Sequence, residues 1–238
     1  MPNTDVMVFG AHPDDIEIGC GGTVINLTDA GRRVVLVDLV RGELGTRGSA
    51  EIRAREAEEG ARILGAAARE NFGLPDGRLE VTAEGRQRVA EAIRRFTPDT
   101  VFLPYWEDRH PDHAYASRLV YEGIFLAGLP RFDTGLPSHR PSRLIHYMGW
   151  YEFEPTFIVD ITAAFDRKMA AIYAYSTQFR PDASADPPTR LTEASTDWLL
   201  RSRMAHYGAR IRVRYGEGFL IRGHLAVDDP LKLNFQSF

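Results

Sequence analysis

Short apolar runs alternate with longer amphipathic segments along the first half of the chain. The apolar runs are rich in β-branched residues and predict strands at 6–10, 33–39, 69–73 and 100–103. The amphipathic segments predict helices at 21–30, 50–64, 82–96 and 113–126. Gly31 and Gly65 are placed to end the first two helices, and Ser49 to cap the start of the second. This alternation predicts an α/β fold with a Rossmann-like, mostly parallel sheet flanked by helices.

The second half of the chain has a weaker pattern. Residues 128–143 are dense in Pro, Gly and Arg, which predicts a loop that could shape a pocket. Strands are predicted at 144–148 and 156–159, and helices at 162–179 and 192–210. In the tail, strands are predicted at 211–215 and 219–221. Because no internal repeat is evident, we expect one domain over residues 1–238 with a C-terminal elaboration.

Composition narrows the function classes. The chain has 238 residues, of which 44% are hydrophobic, so it can bury a substantial core. Its formal net charge is −4, which argues against nucleic acid or an anionic membrane as the main partner. No signal peptide and no apolar run long enough to span a bilayer is evident. The single cysteine, Cys20, fits a reducing compartment, so we expect a soluble cytoplasmic protein.

The chemistry is concentrated in two loops that follow predicted strands. One is the run HPDDIE at 12–17, and the other is the run WEDRHPDH at 106–113. Loops at the carboxyl ends of parallel strands line the binding crevice of such a sheet. Three carboxylates and a histidine within six residues of the first loop would repel one another, and a divalent cation relieves that repulsion.

Two imidazoles with one carboxylate suit Zn²⁺ or Fe²⁺ and leave a coordination position open for water, as in catalytic sites. One His-Pro-Asp tripeptide alone is more often a capped turn. Two of them, at two strand ends, indicate a catalytic metal site. The residues alone do not decide whether Asp14 or Asp15 is a ligand, because both lie in the same loop.

Three alternative functions fit these residues less well. The glycines at 19, 21 and 22 invite a dinucleotide-binding interpretation, but their spacing is not G-x-G-x-x-G and acidic residues stand where a pyrophosphate would lie. A non-haem iron oxygenase also uses two histidines and a carboxylate, but it has no obvious need of a general base. A non-catalytic metal- or sugar-binding module would need neither Asp14 nor His110 beyond the ligands.

The segment GAHPDDIEIGCGGT, with HPDH about a hundred residues later, resembles the PIG-L/LmbE-type zinc-dependent de-N-acetylases, which act on N-acetylglucosaminyl conjugates. The segments RGELGTRGSAEIRAREAEEGARILG, NFGLPDG and HRPSRLIHY, and the closing YGEGF and AVDDP, resemble the bacillithiol-pathway branch. That branch removes acetate from N-acetylglucosaminyl malate. The family also contains deacetylases of chitooligosaccharides and of other GlcNAc conjugates, which gives an alternative substrate class.

The resemblance implies roles for the residues of both loops. His12, Asp15 and His113 would bind the metal, Zn²⁺ or, in the cell, Fe²⁺. Asp14 would be the general base, and His110 would stabilise the oxyanion while Asp112 orients it. A histidine held protonated by a carboxylate could do this and then protonate the leaving amine. The resemblance also implies a homo-oligomer, commonly a hexamer, with the C-terminal region at subunit contacts.

Arginines are the expected partners of a sugar that carries a dicarboxylic acid, because the guanidinium binds carboxylates bidentately. Arg53, Arg109 and Arg140 are therefore predicted to bind substrate. Glu43 and Arg47 follow the second strand and could line the mouth of the site. Glu17 could contact the metal ligands without binding the metal itself. The sequence does not determine the role of any of these three residues.

Overall fold

A seven-stranded sheet forms the centre of the fold within residues 4–233, the part of the chain that the computed structural model describes. Residues 1–3 and 234–238 of the predicted domain lie outside the described residues. The strands are β1 (Val6–Gly10), β2 (Val34–Val40), β3 (Ala68–Leu74), β4 (Thr100–Pro104), β5 (Arg143–Tyr147), β6 (Phe157–Asp160) and β7 (Gly216–Leu220). Their order in the sheet is β3-β2-β1-β4-β5-β7-β6.

The first five strands run parallel, and β7 pairs antiparallel with both β5 and β6. The helices are α1 (Asp15–Asp29), α2 (Ala50–Leu64), α3 (Ala83–Phe96), α4 (Pro111–Ala127), α5 (Phe165–Ala174), α6 (Ser176–Phe179) and α7 (Ala194–Arg210). None of the described helices is long and apolar enough to cross a membrane. A mostly parallel sheet flanked by helices confirms the predicted fold class.

Strand β1 shows how the sequence builds two cores. Met7 and Phe9 pack with side chains of α3 and α4 on one face of the sheet. Val6 and Val8 pack with α1, α2 and α5 on the other face. Successive side chains of a strand point to opposite faces, so an uninterrupted apolar run is what a strand covered on both sides requires.

The topology also positions the site. Strand β1 lies between β2 and β4, with Val6 opposite both Val34 and Thr100. The chain moves outward in one direction from β1 to β3 and in the other from β1 through β4 to β5, so the order reverses at β1 and β4. Loops that leave the two strands at such a point diverge and open a crevice. The loops after β1 and β4 are the two that carry the histidines and aspartates.

Helix α1 begins earlier than predicted, at Asp15 instead of residue 21. Its backbone leaves helical geometry at Cys20 (φ −145°, ψ 18°), and the helix resumes directly afterwards. The Glu217 carboxylate of β7 accepts the backbone N–H groups of Gly22 and Thr23, at 2.9 and 2.8 Å. These N–H groups open the second helical segment, so Glu217 acts as its cap from across the sheet.

Two predictions in the second half are wrong in detail. The helix expected at 162–179 is interrupted at Tyr175 and divides into α5 and α6. The strand expected at 211–215 is absent among the described residues, because α7 ends in a turn in which Arg212 has φ +62° and the Val213 N–H bonds back to the Gly208 carbonyl. Pairing resumes only at Gly216, so the strand predicted at 219–221 is β7.

Candidate active site

The loops after β1 and β4 meet over a cavity of about 250 Å³. Segments that follow β2 and β3, and a segment around α6, complete its wall. Histidine and aspartate side chains of the two motif loops make one end of the lining strongly polar, and we call it the metal-ligand end. The residues that line it are His12, Asp14, Asp15, Ile18, Leu44, Gly45, Arg53, Asp76, Gly77, Arg109, His110, His113, Trp150, Gln178 and Leu191.

The three residues predicted to bind a metal lie together at this end. Asp15 is at their centre: its Oδ2 lies 3.4 Å from His12 Nδ1, and its Oδ1 lies 3.2 Å from His113 Nε2. The His12 backbone N–H also donates to Asp15 Oδ2 at 2.8 Å, which fixes the loop. All three side chains are largely buried, so their donor atoms are held in place rather than solvated freely.

In His12 and His113, the ring nitrogen that points away from Asp15 lies within hydrogen-bond distance of another carboxylate. His113 Nδ1 lies 3.2 Å from Asp108 Oδ1. His12 Nε2 lies 3.1 Å from Asp76 Oδ1 and 3.4 Å from Asp112 Oδ2. Such partners orient an imidazole and fix which nitrogen is free to coordinate. The two rings are therefore held in fixed orientations, with one nitrogen of each facing Asp15.

Among the described residues, two groups of three side chains have donor atoms that all lie within 4.8 Å of one another. They are His12 with Asp76 and Asp112, and His12 with His110 and His113. The oxygens of Asp112 already accept the N–H groups of Gly77 and Leu79, at 2.8 and 3.3 Å. Asp76 accepts the Leu44 N–H at 2.8 Å. These two carboxylates are therefore already hydrogen-bonded to the backbone. The imidazole and carboxylate donors gathered at this end are of the types that bind divalent metals.

Electrostatics at this end favour positive charge. Burial opposes ionisation of Asp15, but the adjacent His113 and His12 outweigh it and hold the pKa of Asp15 well below its usual range. Burial would lower the pKa of His113, but Asp15 and Asp108 raise it to about 9. The carboxylates thus attract protons onto the imidazoles, and a bound cation would satisfy the same negative charge.

Asp14 stands beside the ligand group but is held differently. Its φ is +113°, in a left-handed region that costs a non-glycine residue about 1–3 kcal/mol and is typical of functional sites. Its side chain does not cap α1, although it occupies the N-cap position. Burial raises the pKa of Asp14 to about 7, against the opposing effect of Arg53, whose Nη2 lies 3.6 Å from Asp14 Oδ2. Such a carboxylate is suited to accept a proton near neutral pH.

His110 lies at the N-cap of α4 on the same cavity. Its Nδ1 accepts the Asp112 backbone N–H at 3.2 Å, so the hydrogen of the neutral ring is on Nε2. Burial, together with His12 and His113, lowers the pKa of His110. His110 is therefore placed to donate a hydrogen bond from Nε2, and its role in stabilising the oxyanion stays a prediction.

Asp112 contacts His110 through its backbone and not through its carboxylate. Only its backbone N–H orients His110, whereas its carboxylate faces His12, Gly77 and Leu79. When a side chain caps a helix, it binds the backbone of the second or third helical residue, and that residue's own side chain is free to point elsewhere.

The three predicted substrate arginines have different positions. Arg53 is 4% exposed and donates to the Pro13 and Gly42 carbonyls, at 2.6 and 3.4 Å. Arg109 lies over the Trp150 ring, 4.3 Å from its centroid, at the cavity wall. Arg140 contacts Phe125 at the far end of α4 and does not line the cavity of its own chain, so its predicted role stays a prediction without support here. A helix rises about 1.5 Å per residue, so that end lies roughly 20 Å from the site.

The residues with open roles have structural contacts. Glu43 accepts the Asp76 N–H at 3.0 Å. Glu17 is fully buried. Its carboxylate accepts hydrogen bonds from Arg69 Nη1 at 2.6 Å and from the Tyr175 hydroxyl at 3.1 Å. Arg47 donates only to backbone carbonyls of the segment 177–187. None of these three side chains lines the cavity.

Sequence reasoning missed Asp76, Asp108, Trp150 and Gln178. Asp108 lies within the second loop, two residues before His110, so its acidity and position were visible signals. Asp76 lies in the segment NFGLPDG, which the resemblance had already singled out. Trp150 and Gln178 carried no local signal, because folding alone brings them to the cavity.

The chain is similar to several known proteins. The family model described as PIG-L, GlcNAc-PI de-N-acetylase, matches residues 7–124. A diacetylchitobiose deacetylase of Thermococcus kodakarensis is 33% identical over 230 residues, covering 90% of this chain and 81% of that protein. A 4-oxalmesaconate hydratase of Pseudomonas putida is 25% identical, covering 74% of this chain and 75% of that protein. A probable N-acetyl-alpha-D-glucosaminyl L-malate deacetylase of Bacillus cereus is also 25% identical, covering 73% and 83%.

Two solved structures have the same fold as this chain and more than 30% sequence identity to it. A conserved protein of Thermus thermophilus superposes with a TM-score of 0.86 at 37% identity, covering 94% of this chain and 98% of that one. An N,N'-diacetylchitobiose deacetylase of Pyrococcus horikoshii superposes with a TM-score of 0.81 at 34% identity, covering 92% and 84%. With a relative this similar along most of its length, and with the HPDD and HPDH loops assembled in one cavity, the chain belongs to the PIG-L family of de-N-acetylases.

Proposed function

We propose that this protein hydrolyses the N-acetyl group of an N-acetylglucosamine conjugate, releasing acetate and a free amine. The observation that carries the proposal is the placement of Asp14 and His110 on the same cavity as the metal-ligand group. A base, a hydrogen-bond donor and a metal site around one small cavity are the components that amide hydrolysis by water needs.

His12, Asp15 and His113 would hold the metal, which we propose to be Zn²⁺ or Fe²⁺. A bound ion of this kind polarises a carbonyl oxygen and lowers the pKa of water. Asp14 would take the proton from the attacking water, because its carboxylate is buried and not used as a helix cap. Arg53, 3.6 Å away, would steady the charge of Asp14 without bonding to it tightly.

His110 would donate its Nε2 hydrogen to the acetyl oxygen as negative charge develops there. The capping bond to the Asp112 N–H holds the ring in the tautomer that this requires. Water adds to the amide carbon, the C–N bond breaks, and the water proton passes through Asp14 to the leaving nitrogen. Transfer of this proton gives acetic acid and the free amine. At neutral pH the acid then passes its remaining proton to the amine, so acetate and an ammonium group leave and no other reactant is consumed.

For the substrate, the comparisons favour a chitooligosaccharide over the malate conjugate that the sequence segments suggested. Diacetylchitobiose deacetylases are 33% and 34% identical to this chain, whereas the malate deacetylase is 25% identical. The side chains support this choice. Arg140 is remote and Arg53 donates to carbonyls, so Arg109 alone among the three arginines remains to meet a dicarboxylate. We therefore propose N,N'-diacetylchitobiose or a similar neutral GlcNAc saccharide as the substrate.

Acetate release by the metal-loaded protein tests this proposal. N,N'-diacetylchitobiose, N-acetylglucosaminyl malate and N-acetylglucosamine are compared at equal concentration with Zn²⁺ and with Fe²⁺. We expect the highest kcat/KM with diacetylchitobiose. Faster turnover of the malate conjugate would restore the bacillithiol assignment within the same reaction, and absence of acetate from all three would overturn the deacetylase proposal.

A further inference from the structure

One wall of the cavity is built by a segment distant in sequence from both motif loops. Gln178 and Leu191, from the stretch that begins with α6, line the cavity together with the histidines and aspartates. This stretch contains short helical turns at Pro181–Ala183 and Arg190–Thr192 and otherwise lacks regular structure up to α7. Something other than a helix or sheet ladder must therefore fix its shape.

Arg47 supplies that fixation from the loop after β2. It is 1% exposed, and its guanidinium donates to the carbonyls of Thr177 at 2.7 Å and Asp186 at 2.7 Å. It also reaches the carbonyls of Pro187, Arg180, Pro181 and Ser184, at 3.1–3.4 Å. The adjacent Gly48 N–H donates to the Asp186 carboxylate at 2.9 Å. A planar fork of five N–H donors suits such a set of converging carbonyls, and a lysine ammonium does not.

The same loop determines how Gln178 presents its amide. Gln178 is 6% exposed, and its Nε2 donates to the Arg47 carbonyl at 2.7 Å and to Thr177 Oγ1 at 3.1 Å. A carbonyl can only accept, so the nitrogen of the amide must be the atom on this side. Both N–H hydrogens are thereby used, and Oε1 is the remaining polar atom. Among the described residues none donates to Oε1, although the side chain lines the cavity.

We propose that Gln178 Oε1 accepts a hydrogen bond from a hydroxyl group of the bound sugar, and that Arg47 is the positioning residue that holds it there. This inference rests on the proposed function and adds a specificity-determining contact to it. A neutral acceptor on a buried wall selects a neutral donor, and a pyranose hydroxyl is such a donor. A site built to bind a hydroxyl rejects an analogue that lacks it, because the protein acceptor is then left without a partner.

The test compares wild type with Gln178→Met, which keeps the length of the side chain and removes the acceptor. Substrates are an N-acetylglucosamine glycoside and its analogues that each lack one ring hydroxyl. We expect Gln178→Met to lower kcat/KM for the parent about five- to tenfold, mainly through KM. For one deoxy analogue the wild-type and variant values should coincide, because the contact is already absent.

Arg47→Lys is the second variant, with Arg62→Lys on the exposed face of α2 as its matched control. We expect Arg47→Lys to raise KM as Gln178→Met does and to lower the melting temperature, and we expect Arg62→Lys to do neither. The inference is overturned if Gln178→Met leaves kcat/KM within twofold of wild type, or lowers it equally for every analogue. Failure of wild type itself to release acetate would instead overturn the proposed function.

Discussion

The proposed hydrogen-bond donor of the site is the His110 imidazole, whose orientation depends on its capping bond to α4. His110→Asn keeps a side chain that can cap α4 but removes the Nε2 donor. We expect kcat to fall about 10²- to 10³-fold, as when other oxyanion donors are removed, with bound metal unchanged. Steady-state kinetics and metal analysis of the same preparation check this. A kcat within threefold of wild type would show that His110 only caps the helix.

Asp108 is expected to act on metal affinity rather than on the chemical step. Its carboxylate accepts from His113 Nδ1 at 3.2 Å and from the backbone of His110 and Trp150, at 2.9 and 2.6 Å. Asp108→Asn should weaken metal binding about 10- to 100-fold, because the orientation and basicity of His113 depend on this partner. Glu107→Gln, an exposed neighbour, is the matched control. Competition with a chelator of known affinity measures both, and equal affinities would contradict the assignment.

At the residue scale, residues within the two local motifs were predictable from the sequence, and contacts between residues distant in sequence were not. The expected ligands come together because HPDD and HPDH each occupy one short loop. The direction of the Asp112 carboxylate was mispredicted, since it depends on the capping geometry at the start of α4. Asp76 comes from the segment after β3 and Gln178 from α6, so their proximity to His12 or the cavity requires the tertiary fold.

At the scale of elements, the interruption of α1 depends on one buried carboxylate. Glu217 accepts from Gly22, Thr23 and Lys168, and Lys168 Nζ also donates to the Ile18 carbonyl at 2.9 Å, on the other side of the interruption. Glu217→Ala leaves the buried Lys168 ammonium without a counter-ion and two helical N–H groups without an acceptor. We expect the free energy of unfolding to fall by about 3–5 kcal/mol.

Urea unfolding of Glu217→Ala beside Asp29→Ala checks this value. Asp29 pairs with Arg167 at the surface, where both side chains are about half exposed (58% and 45%), so its loss should cost under about 1 kcal/mol. Equal losses for the two variants would mean that the Glu217 network does not stabilise α1.

Periodicity predicted most elements, and it failed where two elements approach closely. Residues 211–215 alternate apolar and basic side chains, as a strand does, yet they form the turn after α7. At Gly216 a Cβ would lie 2.7 Å from the Ile158 side chain and 2.9 Å from the Gly208 backbone. Sheet pairing therefore resumes where a glycine permits the contact between α7 and β6, which side-chain alternation cannot reveal.

At the scale of the whole molecule, the site rests on a core that does not need the metal. Both apolar faces of the sheet are packed mostly by residues of strands and helices outside the two ligand loops. A chelator should therefore abolish acetate release while the far-UV circular dichroism spectrum stays unchanged. Metal at about 100 times its dissociation constant adds about 2.7 kcal/mol, so its removal should lower the melting temperature by roughly 5–10 °C. Unfolding of the metal-free protein at 25 °C would contradict this account.

The fold alone does not determine the reaction, because the relatives include a hydratase as well as deacetylases. The assignment therefore depends on side chains, above all on Asp14. The homo-oligomer and hexamer implied by resemblance stay predictions, and light scattering of the purified protein would measure the assembly directly.

Acetate release by wild type and by Asp14→Asn, both fully loaded with Zn²⁺, tests the central claim most directly. Asparagine tolerates the left-handed backbone found at this position, so the substitution removes the base and leaves the loop intact. With diacetylchitobiose as substrate, we predict equal metal content and a kcat about 10²- to 10⁴-fold lower in the variant. A variant that holds its metal and releases acetate at the wild-type rate would contradict the account.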